Sequence, residues 1–263
     1  MSETTPLDLA HAAMLAAPED ETARLGFYER LADSELFLLL TGEPQGGQIS
    51  PQVFETPEGR FVLVFDREER LSQFAGDVVD FAALSGRGIA SMLAGQEIGL
   101  GVNLDVAPSA ILLPPIAITW LQDTLQNTPE KVEAQIEEIH PPAELPDVLL
   151  RALDQKLATA TGLAACAYLV GLQYQGGGRG HLLGFVDVQG GAEAALAKAV
   201  NEALVFSGLE AGALDVGFFA ASDPITAGLA RQGLRFDLPK PEVVQKTPST
   251  PPGSDPEKPP KLK

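Results

Sequence analysis

One cysteine and three histidines are all that 263 residues supply for thiol or imidazole chemistry. Cys166 has no second cysteine for an internal disulfide, which suits a reducing compartment. Basic residues are scarce too: 18 against 36 acidic ones, a formal net charge of −18. Such a chain repels phosphate backbones and anionic lipid, so neither nucleic acid nor a membrane is expected as a partner. The N-terminus, Met-Ser-Glu-Thr-Thr-Pro-Leu-Asp, is acidic where a secretory signal is basic, and no apolar signal core follows. A cytoplasmic protein is expected. No charge occurs between Lys156 and Arg179, which raises the question of a membrane span. Thr159, Thr161, Gly162, Gln173, Gln175 and a glycine run interrupt that stretch, and a buried strand accounts for the rest.

Signatures of catalysis are missing as well. The chain holds no Gly-x-Ser-x-Gly elbow, no Cys-x-x-Cys, no His-x-x-x-His and no EF-hand spacing. His11 falls in an N-terminal leader helix, His140 in a proline-rich linker and His181 in a hairpin turn. The first two are expected to be solvated. Cys166, in Ala-Ala-Cys-Ala-Tyr, reads as a small buried strand residue. No catalytic residue, cofactor or metal ligand is therefore assigned.

Hydrophobic residues make up 45% of the chain, enough to build real cores. The first two-thirds is organised around Arg60 to Phe74. Phe61 to Phe65 is apolar at every position, the pattern of a strand covered on both faces. Asp66 is placed to cap the helix that follows, with Glu69 completing a capping-box spacing, and Leu71 and Phe74 return toward the strand. Before this stretch, helices are predicted over Leu7 to Ala17 and up to Ala32, and strands at Glu35 to Leu40 and Val53 to Glu55. After it come Phe81 to Leu84, a helical Ile89 to Ala94, a half-buried strand from Gly99 to Val106, an extended Ala110 to Leu113, and a helix opened by Pro114-Pro115.

Three features in this order resemble the SseB N-terminal domain, the bacterial family named for serine-sensitivity enhancement. They are Phe27-Tyr28-x-x-Leu31 before an apolar strand, Val64-Phe65-Asp66-x-Glu68-x-x-Leu71-x-x-Phe74, and Gly101-Val102-Asn103 before a proline-opened helix. The likeness spans about Ala23 to Leu125. This chain has Phe65-Asp66-Arg67 where family members often read Phe-Thr-Ser, and Asn103-Leu104 where they often read Asn-Pro. The resemblance implies a fold and supplies no reaction.

Asn127 to Pro146 reads as a boundary, because His140-Pro141-Pro142 and Leu145-Pro146 stop any helix. Beyond it the pattern is helix (Asp147 to Ala158), strand (Ala164 to Gln173), glycine turn, strand (Leu182 to Val188), helix (Ala192 to Phe206), strand (Leu214 to Ala220) and helix (Asp223 to Arg231). Leu234 to Leu238 is expected to pair at a sheet edge. This half more weakly resembles the family's C-terminal domain. From Pro239 onward the chain is rich in proline and lysine and reads as a disordered tail. The expected architecture is α+β: a leader (1–22), an SseB-like domain (23–126), a Pro/Glu-rich linker (127–146), a second small mixed domain (147–238) and the tail (239–263).

Two glycine-rich stretches are candidates for holding a small anion. Gly86-Arg87-Gly88 opens a helix beside an arginine, although it lacks the third glycine of a dinucleotide fingerprint and the lysine of a P-loop. Arg179 and His181 flank a glycine-rich hairpin. A non-catalytic protein that binds an unidentified protein partner is the expectation; the alternatives are a sensor of small anions or metabolites and an enzyme built on scattered carboxylates.

Overall fold

The computed structural model describes residues 3–44, 48–127, 136–174, 178–209 and 214–241. They form two α+β domains, each built on one mixed sheet. The first contains α1 (Pro6–Ala16), α2 (Glu21–Asp33), β1 (Glu35–Leu39), β2 (Val53–Thr56), β3 (Gly59–Phe65), α3 (Glu68–Ala75), β4 (Phe81–Ser85), α4 (Gly86–Leu93), β5 (Ile98–Val102), β6 (Ile111–Leu113) and α5 (Pro115–Gln126). Its sheet runs β4-β1-β3-β5-β6, with β2 also on β3. Only β3 and β5 are parallel, because α3 and α4 lie between them in the chain; the other pairs are antiparallel.

The continuous apolar run of β3 is explained by its central position, with Phe61 to Phe65 all buried. Val62 and Val64 face the main core under α1, α2, α4 and α5. Leu63 and Phe65 face the other way, toward Leu71 and Phe74 of α3. Burial of each such side chain contributes about 1.5–3 kcal/mol. The strand predicted to run half-buried to Val106 stops at Val102 and is buried throughout. Its glycines are packing devices rather than solvent-facing positions: a Cβ on Gly99 would come within 2.5 Å of the Phe61 ring, and one on Gly101 within 2.6 Å of Leu63. Left-handed backbone at Asn103 (φ 50°) and Asp105 (φ 61°) ends the strand.

The leader helix is part of this domain. Leu7 enters the main core, and His11, predicted to be solvated, is 3% exposed and lies edge-on to Phe27.

The second domain contains β7 (Ile136–His140), α6 (Asp147–Thr159), β8 (Cys166–Tyr174), β9 (Arg179–Val186), α7 (Glu193–Phe206), β10 (Asp215–Phe219), α8 (Pro224–Gln232) and β11 (Leu234–Asp237). The sheet order is β10-β9-β8-β11, and β7 joins the same side of β8 as β11. Strand β7 lies inside the segment predicted as a linker, so the second sheet begins at Ile136. Helices α6 and α7 cover one sheet face, and α8 packs on the other, where Cys166 is buried beside Tyr168 and Val170. The chain stays docked just past β11, where Gly162 donates its amide to the Pro239 carbonyl at 2.8 Å. Most of the predicted tail, residues 242–263, lies outside the described residues.

The domains meet along α2, α4 and α5 of the first and α6 and α7 of the second. Phe206 of α7 enters the first domain's core, and its ring lies 6.5 Å from that of Trp120, which in turn sits 5.1 Å from Tyr28. No helix among the described residues is long and apolar enough to cross a membrane.

Candidate functional site

Three places depart from ordinary packing: a charge cluster between the domains, a second one inside the first domain, and an apolar cleft beside β4.

The interdomain cluster begins with a glycine. Gly86 starts α4 so close to α2 that a Cβ there would lie 1.9 Å from the Leu31 carbonyl oxygen. Its amide instead donates to the Ser34 carbonyl at 2.9 Å. Ser85 caps the helix by accepting from the Gly88 amide. This close approach delivers Arg87 to Asp33 at the end of α2, with which it forms a short ion pair, and to Glu202 of α7, which it grips with both terminal nitrogens at 3.2 Å. From the second domain, Lys156 in the last turn of α6 donates to Asp33 at 2.6 Å and to Glu202 at 3.1 Å, with its ammonium 6.0 Å from the Phe206 ring centre. Glu29, one turn before Asp33, is 3.5 Å from Lys156.

Three carboxylates thus surround two cations, one negative charge in excess. Burial pushes the Glu29 carboxyl above its ordinary range, with Asp33 adding to the effect and Lys156 opposing it. Its Oε1 makes no hydrogen bond among the described residues. Burial would likewise raise Asp33, yet Lys156 and Arg87 outweigh it and hold the group low. Lys156 is kept above its ordinary value because Asp33, Glu202 and Glu29 overcome its own desolvation. Arg87 and Lys156, each paired with carboxylates of both domains, tie the seam together.

The second cluster lies at the end of β3. Arg70, 2% exposed, holds Asp8 of α1 with both terminal nitrogens (3.0 and 2.5 Å) and Asp66 at 2.8 Å. Ser109 donates to Asp8 at 2.5 Å, Asn103 donates to Ser109 at 2.8 Å, and the Asn103 side-chain oxygen accepts from the Asp66 amide at 3.1 Å. Thr5 donates to Asp66 at 2.5 Å and forms with Asp8 the capping box of α1. Burial alone would raise the Asp8 carboxyl, but Arg70, Ser109 and the Thr5 amide hold it well below the usual carboxylate range. Asp66 does not cap α3 as its position suggests; Arg67 occupies that cap with no side-chain bond, and the Asp66 carboxylate is spent on Arg70 and Thr5.

Beside α3 the surface changes character. Gly76, in left-handed conformation (φ 68°), ends the helix with its amide on the Ser72 carbonyl. The following loop lifts Val78 into solvent, 97% exposed. A cleft of about 440 Å³ opens there, lined by Leu71, Val78, Val79 and Phe81 with Glu68 and Asp77 among its acidic groups. Phe81 lies on β4, the last strand of its sheet, and stacks edge-on against Phe37 at 5.5 Å.

With this geometry in view, comparison with known families is informative. Residues 9–120 match the family described as the SseB protein N-terminal domain. The first domain carries this match and is called the SseB domain after it. The match runs from α1 into α5 and so takes in all six strands of the first sheet. No curated protein and no solved structure matches the chain.

The residues that carry the SseB likeness are structural in this chain. Phe27 and Leu31 are core, Val64 and Phe65 are buried in β3, and Asn103 ties the β5 turn to the Arg70 cluster. Arg87 lies at the seam of the SseB domain, engaged by Asp33 and Glu202. Arg179 and His181 stand apart from it at the start of β9 in the other domain. Arg179 is exposed, and the His181 Nε2 lies 2.8 Å from the Ala143 carbonyl oxygen. Residues 175–177 of that hairpin lie outside the described residues. Among the described residues no group of three or more His, Cys, Asp or Glu side chains is arranged to hold a metal ion. Sequence reasoning missed Arg70 and Lys156 because their partners lie up to 62 and 127 positions away.

Proposed function

We propose that the protein is a non-catalytic cytoplasmic binding protein that docks another protein on its SseB domain. The observation that carries this reading is the cleft beside α3, where Val78 is held out into water next to partly exposed Val79 and Phe81, with Glu68 and Asp77 at the rim. An exposed apolar patch with a polar rim is the ordinary mark of a docking surface. The contrast with the paired cations supports it. Arg70, Arg87 and Lys156 each form ion pairs with carboxylates of the same chain. The single buried cysteine suits the reducing compartment.

The test is a quantitative pull-down of the tagged chain at native abundance from its own cells, comparing wild type, Val78→Asp and a chain ending at Pro241. Because Val78 is almost fully exposed, its substitution leaves the core untouched. One stoichiometric protein held by wild type and the shortened chain but lost with Val78→Asp is the expected result. Equal recovery by Val78→Asp, or no enrichment by wild type, contradicts the reading.

A second reading, a small-anion sensor, is favoured by the 40% exposure of the Arg87 side chain at the mouth of the interdomain cluster. An entering anion has to displace Asp33 or Glu202. Heat released on titration with inorganic phosphate, and abolished by Arg87→Gln, would select it.

A further inference from the structure

The edge of the SseB sheet carries more information than the cleft alone. Strand β4 reads Phe-Ala-Ala-Leu-Ser, with neither charge nor proline, and pairs with β1 over five consecutive positions without a bulge. Natural edge strands are usually guarded by charge, proline, irregularity or shortness. Most other edges of this molecule are guarded in that way. Strand β6 has three residues with Pro114 following, β2 carries Glu55, β7 carries Glu137 and Glu138, and β11 carries Arg235 and Asp237.

Hydrogen-bond phase shows which groups of β4 are open. The Leu40 amide donates to the Asp80 carbonyl, and the Gly86 amide to the Ser34 carbonyl. In an antiparallel ladder the bonded positions alternate, so Asp80, Ala82, Leu84 and Gly86 turn their backbone toward β1. Phe81, Ala83 and Ser85 turn theirs outward. Among the described residues no strand pairs with that outer side. The same alternation sorts the side chains: Ala82 and Leu84 pack on the main core, while Phe81 shares the α3 face with Phe37. A strand added to β4 therefore brings alternate side chains over the cleft of Leu71, Val78 and Val79.

Charge selects the occupant. Glu68 and Asp77 line the cleft near the first end of β4, Asp80 precedes the strand, and Glu35 is paired with Ser85 at its far end. Arg87, the nearest following cation, is neutralised by Asp33 and Glu202. We propose that β4 accepts an extended segment of a partner protein as an added strand, and that this segment is free of proline over at least four residues, apolar at alternate positions and flanked by lysine or arginine. The proposal rests on the docking reading above and adds the mode and the chemistry of recognition.

The experiment pans a phage library of random ten-residue peptides on the full chain and resynthesises the enriched peptides, with and without N-methyl groups on alternate residues in each of the two phases. Fluorescence anisotropy then reads binding to wild type and to Val78→Asp. In an added antiparallel strand only one phase of peptide amides meets β4. Methylation in one phase is expected to weaken binding at least tenfold and in the other phase to leave it within about twofold, and the enriched peptides are expected to be basic. Enriched peptides indifferent to the phase of methylation, yet lost with Val78→Asp, overturn strand addition and leave docking at the cleft standing. Acidic enriched peptides overturn the stated charge preference. No enrichment on wild type over Val78→Asp overturns both readings.

Discussion

The two charge clusters are made of the same parts and differ in how their carboxylates are held. Inside the SseB domain, Arg70 meets Asp8 and Asp66 within one cooperative core, and the hydrogen bonds of Ser109, Asn103 and Thr5 join the same network. Between the domains, Arg87 and Lys156 face three carboxylates, and the surplus falls on Glu29, whose Oε1 has no hydrogen bond among the described residues. Arg70, Ser109 and the Thr5 amide hold the Asp8 carboxyl low, whereas burial raises that of Glu29. Each cluster holds one carboxylate more than it has cations and leaves one buried polar atom, Arg70 Nε or Glu29 Oε1, without a hydrogen bond among the described residues; the difference is that hydroxyl donors reach both carboxylates of the first.

The largest expected effect comes from Arg70→Leu. It strands two buried carboxylates, and a loss of about 3–5 kcal/mol is expected, read from the urea midpoint of the SseB domain by circular dichroism. Lys156→Met is expected to cost less, roughly 1–3 kcal/mol, because Arg87 still pairs with Asp33 and Glu202. Trp120, the single tryptophan, reports this change because it lies between Tyr28 and Phe206 at the seam. A Lys156→Met loss as large as that of Arg70→Leu would erase the distinction between the clusters.

Gly86→Ala is expected to match Lys156→Met in size. Its new Cβ has to move the Leu31 carbonyl or α4 itself, at a cost of roughly 1–3 kcal/mol, and the shift should weaken the Arg87 contacts and alter Trp120 fluorescence. An unchanged urea midpoint would show that the close approach of α4 to α2 is not needed.

Glu29→Gln gives the smallest effect and the sharpest test of sign. A carboxyl raised above its ordinary value near 4.5 favours the folded state while protonated, and that advantage is lost as pH rises through its folded pKa. Glutamine mimics the protonated form, so the variant should differ from wild type by less than about 1 kcal/mol and show a flatter stability profile above pH 5. Asp8 behaves in the opposite way. Held below its ordinary 3.8, it contributes fully above that value, and its contribution is lost progressively as pH falls from there through the depressed folded pKa.

Much of the fold was legible in the sequence because its signals are local. The apolar run of β3, the proline opening of α5 and the Leu71/Phe74 pair each announce an element and its buried face. Strand β7 was hidden because Ile-Glu-Glu-Ile-His sits among prolines, and its glutamates are exposed. The glycines of β5 imitated a solvent face because nothing local reveals the Phe61 and Leu63 side chains that fill their space. Asp66 had a local reading as a cap, and a distant partner, Thr5, joined Arg70 in claiming it. The charge clusters were illegible for the same reason, since their members come from separate elements. The glycines around Arg87 alone gave a signal, and it marked a helix start pressed against another helix.

Amide hydrogen exchange on the full chain tests the open edge of β4 most directly. The Phe81 and Ala83 amides should exchange nearly as fast as in an unstructured peptide, while those of Ala82 and Leu84 are slowed at least a hundredfold by their bonds to β1 (roughly 2.7 kcal/mol of local protection). Ala83 protected as strongly as Ala82 would show the outer side of β4 already covered, and the docking account would fall with it.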